Sequence, residues 1–129
     1  LLNVTAKNRS PTSSMLFIFK AQVKGNEVQT MFDSGASGNF ITKTTAEKCG
    51  LTLIKSESIN IRVANNETIC CDQTVMLPLK IDSYEAEVPA LVLPNDMNEI
   101  EVILGTTWVN MLPKGDIRLS THESFEFSR

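Results

Sequence analysis

From Met15 to Phe127 the apolar residues arrive in short runs, and almost every run is closed within a few residues by a cluster that favours a turn. That is the pattern of a strand-rich chain. Leu16, Phe17, Ile18 and Phe19 open a run that reaches Val23; Lys24-Gly25-Asn26-Glu27 supplies turn chemistry, and Val28 to Phe32 resumes, which predicts a β-hairpin. Ile59, Ile61 and Val63 alternate, Asn65-Asn66 offers a turn, and Thr68, Ile69 and Cys70 lead back as a second hairpin. Val75 to Ile81 and Ala86 to Leu93 flank Asp82-Ser83-Tyr84, and Pro78 and Pro89 point to edge positions or bulges. Ile117 and Leu119 face Phe125 and Phe127 across Thr121-His122-Glu123-Ser124 as a closing hairpin. Two short helices are expected among these strands. Thr44-x-x-Glu47 has capping-box spacing with Gly50 as its stop, and Thr106 to Leu112 follows the apolar run Ile100 to Leu104 and ends at Pro113 and Gly115.

A chain of 129 residues fits one domain, and its 42% apolar and 21% charged residues are ordinary for a globular protein. The formal charge of −3 argues against nucleic acid or an anionic membrane surface as partner. No apolar run approaches the roughly 20 residues that cross a bilayer. The chain opens with neither an initiating Met nor a signal-type apolar segment, which reads as a piece of something longer. Residues 1–14 are polar after the first two leucines and carry Pro11, so they are expected to form a flexible arm or linker ahead of a domain over 15–129. Cys49, Cys70 and Cys71 form no plausible disulfide framework and lack zinc-ligand spacing, so free thiols and a cytoplasmic setting are expected, with no metal and no cofactor.

The chemistry concentrates in Met31-Phe32-Asp33-Ser34-Gly35-Ala36-Ser37-Gly38. An apolar strand delivers one acid into a loop of small residues, which lets the backbone turn sharply and lets another chain approach. The hydroxyl of Ser34 can brace the loop. Asp72, Asp82, Asp96 and Asp116 stand in polar, turn-like contexts and read as solvated. His122 has no nucleophile motif beside it, and Trp108 with Val109 and Leu112 reads as core.

Three ordered pieces, Phe32-Asp33-Ser34-Gly35-Ala36-Ser37, the hairpin from Ile59 to Cys71, and Ile103-Leu104-Gly105 before a helix, resemble the retropepsins, the aspartic proteases of retroviruses and LTR retrotransposons. Asp33 to Ile41 and Ile103 to Val109 look most like the gypsy-type retrotransposon enzymes and their domesticated relatives. The resemblance implies a small closed β-barrel with one or two short helices, working as a symmetric homodimer. It makes Asp33 the catalytic acid, Ser34 the hydroxyl that bonds across the dimer, and Gly35 a contact to substrate backbone. It places Ala36, Ser37, Val63, Ala64, Asn65, Asn66 and Ile103 against substrate, and Leu104 and Gly105 beneath the acid loop. Ser37 and Gly38 stand where some retroviral members carry acids that hold substrate backbone, and Ala64-Asn65-Asn66-Glu67 replaces a glycine-rich flap tip.

An aspartic protease needs two carboxylates that share a proton, whereas this chain holds one Asp-Ser-Gly tripeptide and is too short for a duplicated, two-lobed enzyme. A two-fold axis through the acid loop would supply the second. The expected function is therefore an endopeptidase cleaving extended polypeptides between apolar residues, processing its own Gag-Pol-type polyprotein in the cytoplasm or within retrotransposon particles. The alternative is a non-catalytic dimerisation or peptide-binding module of the same fold.

Overall fold

The computed structural model describes residues 2–3, 5–6, 16–62, 66–112, 117–119 and 124–127, with side chains over 16–62 and 66–112. The chain is mainly β. In order, the elements are β1 (Leu2–Asn3), β2 (Thr5–Ala6), β3 (Leu16–Val23), β4 (Asn26–Asp33), β5 (Phe40–Thr42), α1 (Lys43–Lys48), β6 (Ile54–Arg62), β7 (Thr68–Ile81), β8 (Tyr84–Leu93), β9 (Val102–Leu104), α2 (Thr106–Met111), β10 (Ile117–Leu119) and β11 (Ser124–Phe127). Val63, Ala64, Asn65, Pro113, Gly115, Asp116 and His122 lie outside the described residues.

Two of the hairpins close over turns where the turn chemistry predicts them, and the turns at Asn65 and at 121–123 lie outside the described residues. Val23 pairs with Asn26 around Lys24-Gly25, whose positive φ values of 50° and 80° make a two-residue turn that matches the right-handed twist of the flanking strands. Ile81 pairs with Tyr84 around Asp82-Ser83, where Asp82 takes the positive φ, of 52°, and Ser83 does not. Sequence reading expected separate strands before and after Asp72-Gln73-Thr74, but β7 runs unbroken, because Gln73 and Thr74 pair with Lys55 and Ile54. Pro78 and Pro89 fall on stretches of β7 and β8 that pair with each other yet have no ladder partner on their other side, so the missing N–H breaks nothing.

The larger sheet has the order β2-β3-β4-β9-β5-β8-β7-β6, and β3 also pairs with β7 through Gln22–Lys80 and Val23–Leu79. β9 sits between β4, which it joins in parallel, and β5, which it joins antiparallel. Alternation along β3 and β7 sends Phe17, Phe19, Ala21, Val23, Leu77, Leu79 and Ile81 into one core. Trp108 is fully buried there, 6.0 Å from Phe32 and edge-on to Tyr84 at 6.2 Å. A fully buried indole is worth about 3–5 kcal/mol against truncation, so α2 is fastened to the strand that carries Asp33.

The first helix begins earlier than its capping-box spacing suggested. Thr42, not Thr44, is the N-cap: its hydroxyl takes the amide proton of Thr45 at 3.3 Å, while Glu47 is exposed. Its end agrees with expectation. Gly50 has φ +71°, its amide donates to Glu47 O at 3.0 Å and the Leu51 amide to Ala46 O at 3.0 Å, the paired bonds of a Schellman stop.

Candidate active site

Strand β4 ends on Asp33, and alternation decides which way that residue faces. Phe32 is buried in the main core and pairs with Leu104, so Met31 and Asp33 project to the opposite face, where Met31 pairs with Ile103. Asp33 is half-buried, as are Ser34 and Ala36, while Gly35 and Ser37 are exposed. The chain reverses at once: the Ala36 amide donates to Asp33 O at 3.0 Å, and the Gly35 amide donates to Asp33 Oδ1 at 2.8 Å. The acid is thus held by its own loop, with its carboxylate oriented by a backbone N–H.

The loop is clamped from below by the segment that follows β9. The Thr106 amide donates to Ala36 O at 2.9 Å, and the Thr106 hydroxyl reaches the same oxygen at 3.4 Å. Gly105 is buried and extended, at φ −106°. A Cβ there would press directly on the carbonyl oxygens of Ala36 and Gly38 and lie 2.9 Å from the Ala36 carbonyl carbon. Gly105 therefore meets the acid loop by close backbone contact, while the Leu104 side chain is fully buried in the main core.

On the Asp33 side of the sheet lies a second apolar cluster. Its buried members are Cys71, Leu93 and Ile103, and Met31, Ala36, Ile61 and Ile69 pack against it. Ile61 and Ile69 are opposite each other on β6 and β7, so the arm of the second hairpin shares an apolar cluster with the acid loop. Burial pushes the Cys71 thiol up, with Cys70 and Asp72 adding to the effect. Of the residues expected to touch substrate, Ala36 and Ile103 belong to this cluster, Ser37 is exposed beside it in the loop, and Asn66 is exposed near the hairpin tip at φ +66°. Val63, Ala64 and Asn65 of that tip lie outside the described residues.

Two residues that sequence reading did not single out organise this region. Asn39 is 5% exposed; its Oδ1 accepts the Gly105 amide at 3.0 Å, its Nδ2 donates to Pro89 O at 3.2 Å, and its carbonyl accepts the Leu91 amide at 2.9 Å. Glu101, just ahead of β9, ties β4 to α1, accepting from the Gln29 amide at 2.9 Å, the Thr45 hydroxyl at 3.2 Å and Lys48 Nζ at 2.8 Å. Burial alone would raise the Glu101 carboxyl, but the bonds from Lys48, Gln29 and Thr45 together hold it below the usual carboxylate value. The bond to Glu101 in turn raises Lys48, against a smaller opposing effect of burial. Neither residue carries a local signal, because each finds its partners only after distant strands have met.

No cluster of three or more metal-ligating side chains occurs among the described residues, and no helix among them is long and apolar enough to cross a membrane.

The acid loop of small residues thus stands at a strand end, clamped by the glycine that precedes α2. The family model described as aspartyl protease matches residues 19–108, and the chain belongs to that family. Among solved structures it is similar to a retropepsin-like aspartic protease from Rickettsia conorii, at 22% identity over 93% of this chain and 85% of that one, with a TM-score of 0.61. It is also similar to the retroviral protease-like domain of Ddi1 from Leishmania major, at 15% identity over 87% of this chain and 93% of that one, with a TM-score of 0.57. At these identities the likeness concerns the fold, which is retropepsin-like. A search of curated proteins gave no match.

Proposed function

We propose that the chain is an aspartic endopeptidase that works as a symmetric homodimer, with Asp33 of each subunit forming the catalytic pair. The observation that carries this reading is the built acid loop: Asp33 half-buried, its Oδ1 fixed by the Gly35 amide at 2.8 Å, over a clamp that admits no side chain at Gly105. Two such loops related by a two-fold axis would bring the carboxylates within about 3 Å, where they share one proton because both cannot ionise. The ionised carboxylate takes a proton from water as the water oxygen bonds to the scissile carbonyl carbon. The protonated partner gives its proton to the carbonyl oxygen. Proton delivery to the amide nitrogen then lets the C–N bond break.

Ser34 would brace the pair across the axis, and Gly35 would meet substrate backbone. Ala36, Ser37, Ile103 and the hairpin tip at Val63, Ala64, Asn65 and Asn66 would enclose the peptide. The apolar cluster that joins the loop to the hairpin arm supports a preference for apolar side chains at the cut. The β3–β7 pairing supports a closed barrel as the scaffold. An origin in a gypsy-type retrotransposon or a domesticated relative, a role in processing its own polyprotein, and a cytoplasmic or particle-bound location complete the reading. The origin and role rest on the resemblance of Asp33 to Ile41 and Ile103 to Val109, and the location on the free thiols expected at Cys49, Cys70 and Cys71.

The test is cleavage of a proteome-derived peptide library by the purified chain and by Asp33→Asn, from mildly acidic to neutral pH, read by mass spectrometry. Products from the native chain alone are expected, flanked by apolar residues. Equal cutting by both proteins would remove Asp33 from the mechanism, and silence from both as folded dimers would favour the non-catalytic module.

A further inference from the structure

We propose that Asn39 is a positioning residue for the acid loop, acting on Asp33 through Gly105 and on β8 through Pro89; this rests on the protease reading above. The side chain is almost fully enclosed and does two opposite things: it accepts from Gly105 at 3.0 Å and donates to Pro89 at 3.2 Å. Only a group with an acceptor and a donor can serve both ends, which a carboxylate and an alkyl chain cannot. The amide can sit only one way round, because Gly105 brings a proton and Pro89 a lone pair.

The path from Gly105 to the acid is short. Thr106 holds Ala36 O at 2.9 Å, the Ala36 amide holds Asp33 O at 3.0 Å, and the Gly35 amide holds Asp33 Oδ1 at 2.8 Å. In the other direction, Pro89 and Leu91 pair with Met76 and Thr74 of β7, and β7 continues to Thr68–Cys71, where it pairs with β6. One carboxamide therefore joins the acid loop to the strand pair that carries the hairpin arm. Releasing it would let the loop shift relative to the second carboxylate, and a displacement of about 1 Å at a reacting centre can cost on the order of a hundredfold in rate.

The experiment compares Asn39→Leu, Asn39→Asp and Asn39→Thr with the unmodified full chain for thermal stability, oligomeric state, amide exchange and steady-state cleavage. In Asn39→Leu and Asn39→Asp, kcat is expected to fall about tenfold to a hundredfold while KM stays within about threefold. The amides of Gly35 and Ala36, which touch Asp33 and not Asn39, should exchange faster. Asn39→Thr, whose hydroxyl can both donate and accept, should recover part of kcat. An unchanged kcat, a rise in KM alone, or unaltered exchange at Gly35 and Ala36 in a folded variant would overturn the proposal. If Asn39→Leu does not fold, Asn39→Asp, which keeps an acceptor for Gly105, carries the comparison. If the unmodified chain cuts nothing, the protease reading falls, and exchange at Gly35 and Ala36 decides the role of Asn39 by itself.

Discussion

Replacing Gly105 by alanine separates two reasons for which a chain uses glycine. Its φ of −106° is open to any residue, so the backbone itself has no objection to a side chain. On that ground alone, alanine would stabilise the protein by about 0.4–1 kcal/mol, through the lower entropy of the unfolded chain. Space argues the other way. The new methyl would press on the carbonyl oxygens of Ala36 and Gly38, both backbone atoms that cannot rotate aside. Overpacking of this kind costs about 1–3 kcal/mol. The loop can escape only by stretching the Thr106–Ala36 and Gly105–Asn39 hydrogen bonds, of 2.9 and 3.0 Å, at about 1 kcal/mol each. The net loss is about 2–4 kcal/mol, which lowers Tm by about 8–16 °C for a domain of this size. Thermal unfolding followed by circular dichroism, with urea unfolding beside it, measures the loss directly. A Tm that stays level or rises would show that the clamp beneath the acid loop is not tight, and the account of Gly105 would be wrong.

Other consequences are as direct. Glu101→Gln should destabilise the protein by about 1–2 kcal/mol at neutral pH, since a partly exposed carboxylate loses charged hydrogen bonds that solvent partly screens. Because the Glu101 carboxyl is held low in the folded state, its contribution is full above the ordinary carboxylate value and fades as pH falls through the lowered one. Urea midpoints of the two proteins should therefore converge in acid. Lys48 is raised, so its share persists below the ordinary lysine value and is lost only as pH climbs past the raised one. A thiol reagent should label Cys70 quickly and Cys49 and Cys71 slowly, since Cys70 is exposed and burial pushes the other two thiols up; equal labelling of all three in native protein would contradict the packing. Specific activity should fall on dilution through the dimer dissociation range and return on concentration, whereas strict proportionality far below that range would rule out a shared pair of aspartates.

What the sequence disclosed was local. The Lys24-Gly25 and Asp82-Ser83 turns, the Gly50 stop and the small residues around Asp33 each announce themselves within a few positions, and the hairpins follow from them. The start of α1 is not legible in the sequence, because Thr42, Thr44 and Thr45 are near-equivalent as a string. Burial of Thr42 at the end of β5 decides among them. β5 itself went unseen, since three residues give no period, and it exists through pairing with Leu91–Leu93 and Val102–Ile103 far along the chain. Asn39 and Glu101 were hidden for the same reason. A polar residue beside an apolar run looks like a loop until Gly105, Pro89 or Gln29 arrives from elsewhere.

The insertion of β9 between β4 and β5 also sets a schedule for the making of the site. The β3–β4 and β7–β8 hairpins close over two-residue turns and can form as soon as their residues exist. Thr30 cannot meet Val102, nor Ala36 meet Thr106, until the whole intervening chain has been made and gathered in, and non-local parallel pairing is the slow kind. The acid loop is therefore expected to be among the last parts to take its final form. A growing or half-folded chain would carry Asp33 without the Gly105–Thr106 floor that holds its loop.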